Sequence, residues 1–138
     1  MTTVIRVENK FGTGMFSSGD FGGELLSVYE IEELYTLAER HRDFPNFYKD
    51  NTLRAKLINI NPEQYTCYGE THFDYRFAFK NLDMFEAWVL RSEVKSLKAN
   101  GFKVYKITAK EVVSSEYQSL FNINSVVSKE DITDLFLN

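Results

Sequence analysis

The sequence predicts an α+β fold: one compact domain with a mainly antiparallel sheet and packed helices. Three observations carry this expectation. Short alternating apolar runs of strand type are separated by segments with helical spacing. No internal repeat or linker divides the chain. A length of 138 residues with 43% hydrophobic content suits a single core.

Val4, Ile5 and Val7 alternate with polar neighbours well enough to predict an opening strand over Thr3 to Glu8. The stretch Phe11 to Gly23, FGTGMFSSGDFGG, ends it. From Glu24 onward Leu25, Val28, Ile31, Leu34, Tyr35 and Ala38 recur at three- and four-residue steps, which predicts an amphipathic helix. Pro45 and the Asn/Asp content of RHRDFPNFYKDN predict an irregular surface loop, a common place for binding residues. Leu53 to Ile60 reads as either strand or helix, closed by Asn61-Pro62. Two aromatic β-prone runs around Gly69-Glu70 predict a hairpin whose second strand covers about Phe73 to Phe79. Asn81 or Asp83 can cap a helix carrying Met84, Phe85, Trp88 and Val89, and Ser92 opens a further helical turn through Val94 and Leu97. Asn100-Gly101 stops it, and Phe102 to Ile107 alternates as a strand. Ile132, Leu135 and Phe136 share a helical face, so Lys129 to Leu137 is expected to be a short helix.

Composition removes several classes of function. A net charge of -4 argues against a protein that coats extended nucleic acid, although it allows a local basic pocket. Cys67 is alone and no Cys/His spacing suits zinc, so neither a disulfide nor a metal site is expected, and a cytosolic, reducing compartment is the default. The N-terminus reads as neither signal peptide nor membrane span.

Familiar catalytic motifs fail on order and spacing. Asp20-Phe21-Gly22 precedes His41-Arg42-Asp43, the reverse of a kinase, and Tyr48 stands where the catalytic loop needs Asn. Gly12-Thr13-Gly14 is followed by Ser17 rather than the glycine of a dinucleotide fingerprint, and no Gly-Lys-Ser/Thr ending makes a phosphate loop. The glycine stretch remains open to two readings, a backbone cradle for an anion or a strand-to-helix crossover. His41 and His72 lack the His-x-Thr/Ser repeat of two-histidine phosphoesterases. Cys67, among aromatic neighbours, reads as buried and inert.

Arg40, His41 and Arg42 followed by Phe44, Phe47 and Tyr48 are more informative, since guanidinium groups bind phosphates and aromatic faces stack on bases. The competing reading is a cation-favouring helix C-terminus followed by core-anchoring rings. Arg54, Arg76 and Lys80 carry the same ambiguity. Tyr75, Phe77 and Phe79 alternate as one face of a strand, leaving Arg76 on the other.

The order of motifs resembles a known family. Val4 to Asn9, VIRVEN, precedes Gly12-Thr13-Gly14-Met15-Phe16; RHRDFPNFYKDN follows; then Phe77 to Trp88, FAFKNLDMFEAW; then Gly101 to Ile107, GFKVYKI, and Tyr117 to Phe121. Between about Thr3 and Phe121 the chain is similar to the first family of Thoeris anti-defence proteins, phage-encoded sponges. It departs at Ala78, where that family has glycine.

The resemblance implies a non-enzymatic phage protein in the host cytoplasm that captures a cyclic ADP-ribose-derived immune signal, glycocyclic ADP-ribose. Some members also bind cyclic oligonucleotides, and a homodimer or higher homo-oligomer is implied, with no cofactor. Residues 3–121 would form the signal-binding core and 122–138 an extension with a short helix. A diphosphate calls for Arg, a base for an aromatic face and ribose for amide partners. Arg40, Arg42, Arg54 and Arg76 are therefore the charge candidates, Phe77 and Phe79 the base platforms, and Asn81 the polar partner. Two alternatives stand beside this reading: a small enzyme acting on a nucleotide or ADP-ribosyl substrate, and a protein-binding inhibitor of a host enzyme.

Overall fold

Strand β1, Thr2–Asn9, lies inside the sheet, and this is why Val4 through Asn9 are all buried, including Arg6 and Glu8. The computed structural model describes residues 1–16, 27–44, 46–68 and 73–137. The remaining strands are β2 (Tyr75–Phe79), β3 (Phe102–Ala109), β4 (Val112–Ser114), β5 (Gln118–Asn122) and β6 (Val126–Asp131). They pair in the order β4-β5-β2-β1-β3-β6, antiparallel throughout. With helices α1 (Tyr35–His41), α2 (Asn51–Ile60), α3 (Pro62–Thr66), α4 (Leu82–Trp88) and α5 (Arg91–Ala99), this is the expected α+β architecture.

The sheet is rolled, and chain connectivity shows why. Only Lys110 and Glu111 separate β3 from β4, and only Ile123 to Ser125 separate β5 from β6, yet β3 and β6 lie at one end of the strand order and β4 and β5 at the other. The two arms form one long hairpin that turns at Ser115–Gln118 and bends midway. Hydrogen bonding continues through the bend, with Lys110 N donating to Ser125 O at 3.0 Å and Asn122 N to Glu111 O at 3.0 Å. A register shift at Thr108/Ala109 supplies local curvature. The concave face encloses a small core of Val4, Ala78, Ile107, Ala109 and Phe121.

The helices cover the other face in two groups. Over β1 and β3, the segment 28–41 packs with α4 and α5 on Ile5, Val7, Phe102 and Val104. Over β2, β4 and β5, α2 and α3 cover Tyr75, Val113 and Leu120 with Phe47, Leu53 and Leu57.

Several expectations change in detail. The helix expected from Glu24 is two 3-10 turns, Val28–Glu30 and Glu32–Leu34, followed by α1; residues 24–26 lie outside the described residues. Ile31, extended at φ -108 and ψ 114, breaks it. Val28, Ile31, Leu34 and Leu37 are each three apart, the period of a 3-10 helix, so one buried face survives the break. Leu53 to Ile60 resolves as helix, capped by Asp50, whose Oδ1 accepts from Leu53 N at 3.2 Å.

The hairpin expected around Gly69-Glu70 is corrected. Asn61 caps and Pro62 starts helix α3 where its first strand was expected, and residues 69–72, His72 among them, lie outside the described residues. Asn81 caps α4, its Oδ1 accepting from Met84 N at 2.8 Å. Helix α5 starts at Arg91, with Glu93 accepting from Leu90 N at 2.8 Å. It ends as expected, Gly101 taking the left-handed φ of 90 that glycine tolerates.

The C-terminal helix is also corrected. Residues 126–131 pair with β3 as β6, and only Thr133–Phe136 turns, as a 3-10 segment. The unpaired edge of β3 is satisfied by this strand, while Ile132 and Phe136 still reach the core.

Candidate functional site

Between the two helical groups a cleft of about 660 Å³ opens onto β2. Its position follows from the loop 42–50, which joins α1 to α2 and sends Phe44 to one wall and Phe47 to the other.

On the α1 side the His41 ring stacks on Phe16 at 3.5 Å and 13°, and on Phe44 at 6.1 Å and 18°. Phe44 meets Trp88 edge-on at 4.7 Å and Phe79 at 5.9 Å. On the α2 side Phe47 lies 4.4 Å from Tyr68 and 5.9 Å from Phe77, and Tyr68 contacts Tyr48 and Phe73 at 5.4 Å each. Apart from the face-to-face His41–Phe16 pair, these are offset, tilted and edge-to-face arrangements of the kind that lock rings against one another. Phe16 arrives because the chain turns back after β1. Gly12 takes φ +79, Asn9 Oδ1 accepts from Phe11 N and Thr13 N, and Gly14 pairs with Glu8. The rest of the glycine-rich stretch, 17–23, lies outside the described residues.

The floor is polar at two places. Strands β1 and β2 register only at Ile5↔Phe79 and then part. Arg6 fills the split: Nη1 donates to Phe77 O at 2.6 Å, Nη2 to Gly12 O at 3.1 Å and Nε to Glu8 Oε2 at 2.9 Å. Burial lowers the Arg6 guanidinium pKa against the opposing pull of Glu8. Arg76 borders the same floor, its Nη1 donating to Phe73 O at 2.6 Å and Tyr75 O at 2.9 Å. At the other place Gln118 Nε2 donates to buried Asp50 Oδ2 at 3.0 Å, which also accepts from Ser115 Oγ at 2.6 Å. This ties the start of α2 to β5 beneath the cleft. Burial holds the His41 imidazole below the ordinary histidine value, and raises the Tyr68 phenol, to which Tyr48 adds. Both shifts favour the neutral form of the side chain.

Of the residues expected at the site, Arg76, Phe77 and Phe79 line the cleft together, joined by His41, Phe44, Phe47 and Tyr48 from the basic-aromatic cluster. Arg40, Arg42, Arg54 and Asn81 are not among its lining residues. Arg40 pairs with buried Glu93 and fastens α1 to the start of α5. Arg42 extends outward beside Glu39 at 3.3 Å, Arg54 donates to Tyr48 O and Asn51, and Asn81 is spent as a helix cap. Sequence reasoning missed Arg6, Tyr68, Phe73, Trp88 and Gln118 as lining residues. A signal existed for Arg6, a cation at an interior position of an apolar strand. No comparable signal marked Gln118.

Among the described residues, no cluster of three His, Cys, Asp or Glu side chains is arranged to hold a metal ion, and no helix is long and apolar enough to cross a membrane. No curated protein and no solved structure matches the chain. One family model does, that described as Bacteriophage T4 Y00F protein, and it covers residues 1–134. With nearly its whole length inside that match, the chain belongs to the bacteriophage T4 Y00F protein family.

Proposed function

We propose that this phage-family protein captures a nucleotide-like ligand in the aromatic cleft and holds it without chemical change. One observation carries the reading: a cavity of about 660 Å³ with rings on both walls and two guanidinium groups, Arg6 and Arg76, at its floor. That volume lies within the usual range for small-molecule sites, roughly 300–1,000 Å³. A purine stacks on or between rings with little dependence on its edge groups. The guanidinium groups favour an anionic end, and Asn46, Tyr48 and Gln118 offer hydrogen bonds to sugar hydroxyls.

The ligand class is the cyclic ADP-ribose-derived immune signal, intercepted in the host cytoplasm by a homo-oligomeric sponge. The motif order shared with the Thoeris anti-defence family supports this choice. The stacked setting of His41, the imidazole at the cleft among the described residues, suits a wall better than a proton-transfer pair.

The test is to incubate purified protein with the cyclised ADP-ribose signal, remove free ligand by filtration, heat-denature the protein and analyse both fractions by mass spectrometry. Intact signal released only on denaturation is expected. A converted product would make the protein an enzyme, and signal left in the free fraction would remove this ligand class.

A further inference from the structure

The concave face of the rolled sheet contains a second cavity, about 350 Å³, on the side of the sheet away from the helices. Its inner wall is apolar, made by Ile107, Phe121 and Val126, and its rim carries Arg76, Lys129 and Glu8.

The charges there do not balance. Glu8 is buried and both its oxygens are engaged, Oε2 by Arg6 Nε at 2.9 Å and Oε1 by Lys129 Nζ. Asp131, further along the rim, is matched by Lys103 at 3.6 Å. Among the described residues Arg76 has no carboxylate within ion-pair distance, only the carbonyls of Phe73 and Tyr75 on one of its nitrogens. Arg6, Arg76 and Lys129 therefore stand against a single carboxylate, Glu8. Buried Arg6, partly buried Arg76 and exposed Lys129, in excess over one carboxylate beside an apolar wall, attract a counter-anion that brings its own apolar body. Free phosphate satisfies the cations but not the wall, and a neutral hydrocarbon does the reverse.

We propose that this concave cavity is a second ligand site, sharing only Arg76 with the lining of the aromatic cleft, which takes a small monocarboxylate with an apolar tail. The carboxylate lies between Arg76 and Lys129, and the tail runs over Ile107, Phe121 and Val126. The guanidinium of Arg76 has three N–H groups beyond the two on Nη1, enough for a paired contact with both carboxylate oxygens.

Methyl NMR on the unaltered protein, with octanoate, octanol and inorganic phosphate as probes, tests the site. Octanoate is expected to shift the Ile107 and Val126 methyls saturably and leave Leu37, at the aromatic cleft, in place. Octanol and phosphate are each expected to bind at least about tenfold more weakly, as are Lys129→Gln and Arg76→Gln proteins with octanoate. The same spectra show whether each variant is folded, and the comparison of three probes stands without the variants. Octanol binding as tightly as octanoate would overturn the proposal, because the cations would be idle. Phosphate binding as tightly would overturn it through the idle tail. Shifts confined to Leu37 would move the ligand to the other cavity, and no shift at any probe would remove the site.

Discussion

On one face of β2, Phe77 and Phe79 meet the rings of the helical layer; on the other, Arg76 and Ala78 meet the rolled sheet with Phe121. The helical face is held by rings touching rings, a stabilisation that scales with buried apolar area and needs no partner of opposite charge. The concave face is held partly by buried ions, where Arg6 and Glu8 have given up hydration to hold β1 against the parting edge of β2. Residues one apart in sequence therefore fall under different energetics. Removing a ring loses packing in proportion to its size, whereas removing one ion strands the other.

The largest effect is expected on the α2-side wall, where Phe47 meets the rings of Tyr48, Tyr65, Tyr68 and Phe77. Phe47→Ala should cost about 3–5 kcal/mol in urea denaturation, since Phe47 is 2% exposed and packs with α2 and β2. A loss below about 1 kcal/mol would show that the α2-side wall does not depend on that ring. On the ionic face Arg6→Leu should cost about 3 kcal/mol by leaving Glu8 with Lys129 alone, and the Arg6→Leu/Glu8→Leu double variant should recover most of it. If the double variant is worse than the single, the ion pair is itself a net source of stability and the contrast fails.

Asp50→Ala is expected to lose about 1–2 kcal/mol, more than a surface cap, because Ser115 and Gln118 lose an acceptor with it. The His41 effect is a matter of pH. Its folded pKa lies below the ordinary 6.5, so its contribution is fully present above that value and is lost as pH falls through the folded value. Denaturation curves between roughly pH 7.5 and pH 5 should show this loss, and His41→Gln should reduce it. The smallest effect belongs to Arg42→Ala. With its side chain 70% exposed beside Glu39, the change should leave stability within about 0.5 kcal/mol and ligand capture unaltered.

What was legible in the sequence was whatever depends on neighbours in the chain. The alternation of Val4, Ile5 and Val7, the Asn81 cap and the Asn100-Gly101 stop all stand in the structure. The apolar spacing from Glu24 to Ala38 predicts an amphipathic helix, and the three-residue steps Val28, Ile31 and Leu34 within it are a usable sign of 3-10 geometry. The β-strand nature of 126–131 was not legible, because it depends on the free edge of β3, whose partner residues lie 17 (Ala109↔Val126) to 26 (Tyr105↔Asp131) positions away. At the cleft, the cluster His41, Phe44, Phe47 and Tyr48 is recognisable from local composition, and Arg76, Phe77 and Phe79 line the same cavity. Arg40, Arg42 and Arg54 have the right chemistry for phosphate, but their directions are set by Glu93, Glu39 and Asn51, and local composition does not reveal that. Trp88, Tyr68 and Gln118 join the cleft through tertiary packing alone.

Trp88 is the chain's single tryptophan and lines the aromatic cleft but not the concave cavity, so its emission reports on the cleft. The most direct test of ligand capture there is a titration of the protein with the cyclised ADP-ribose signal, followed by Trp88 fluorescence. A saturable change that Phe44→Leu weakens is the expected result. Emission that stays flat while filtration shows bound signal would place the ligand elsewhere and contradict the account.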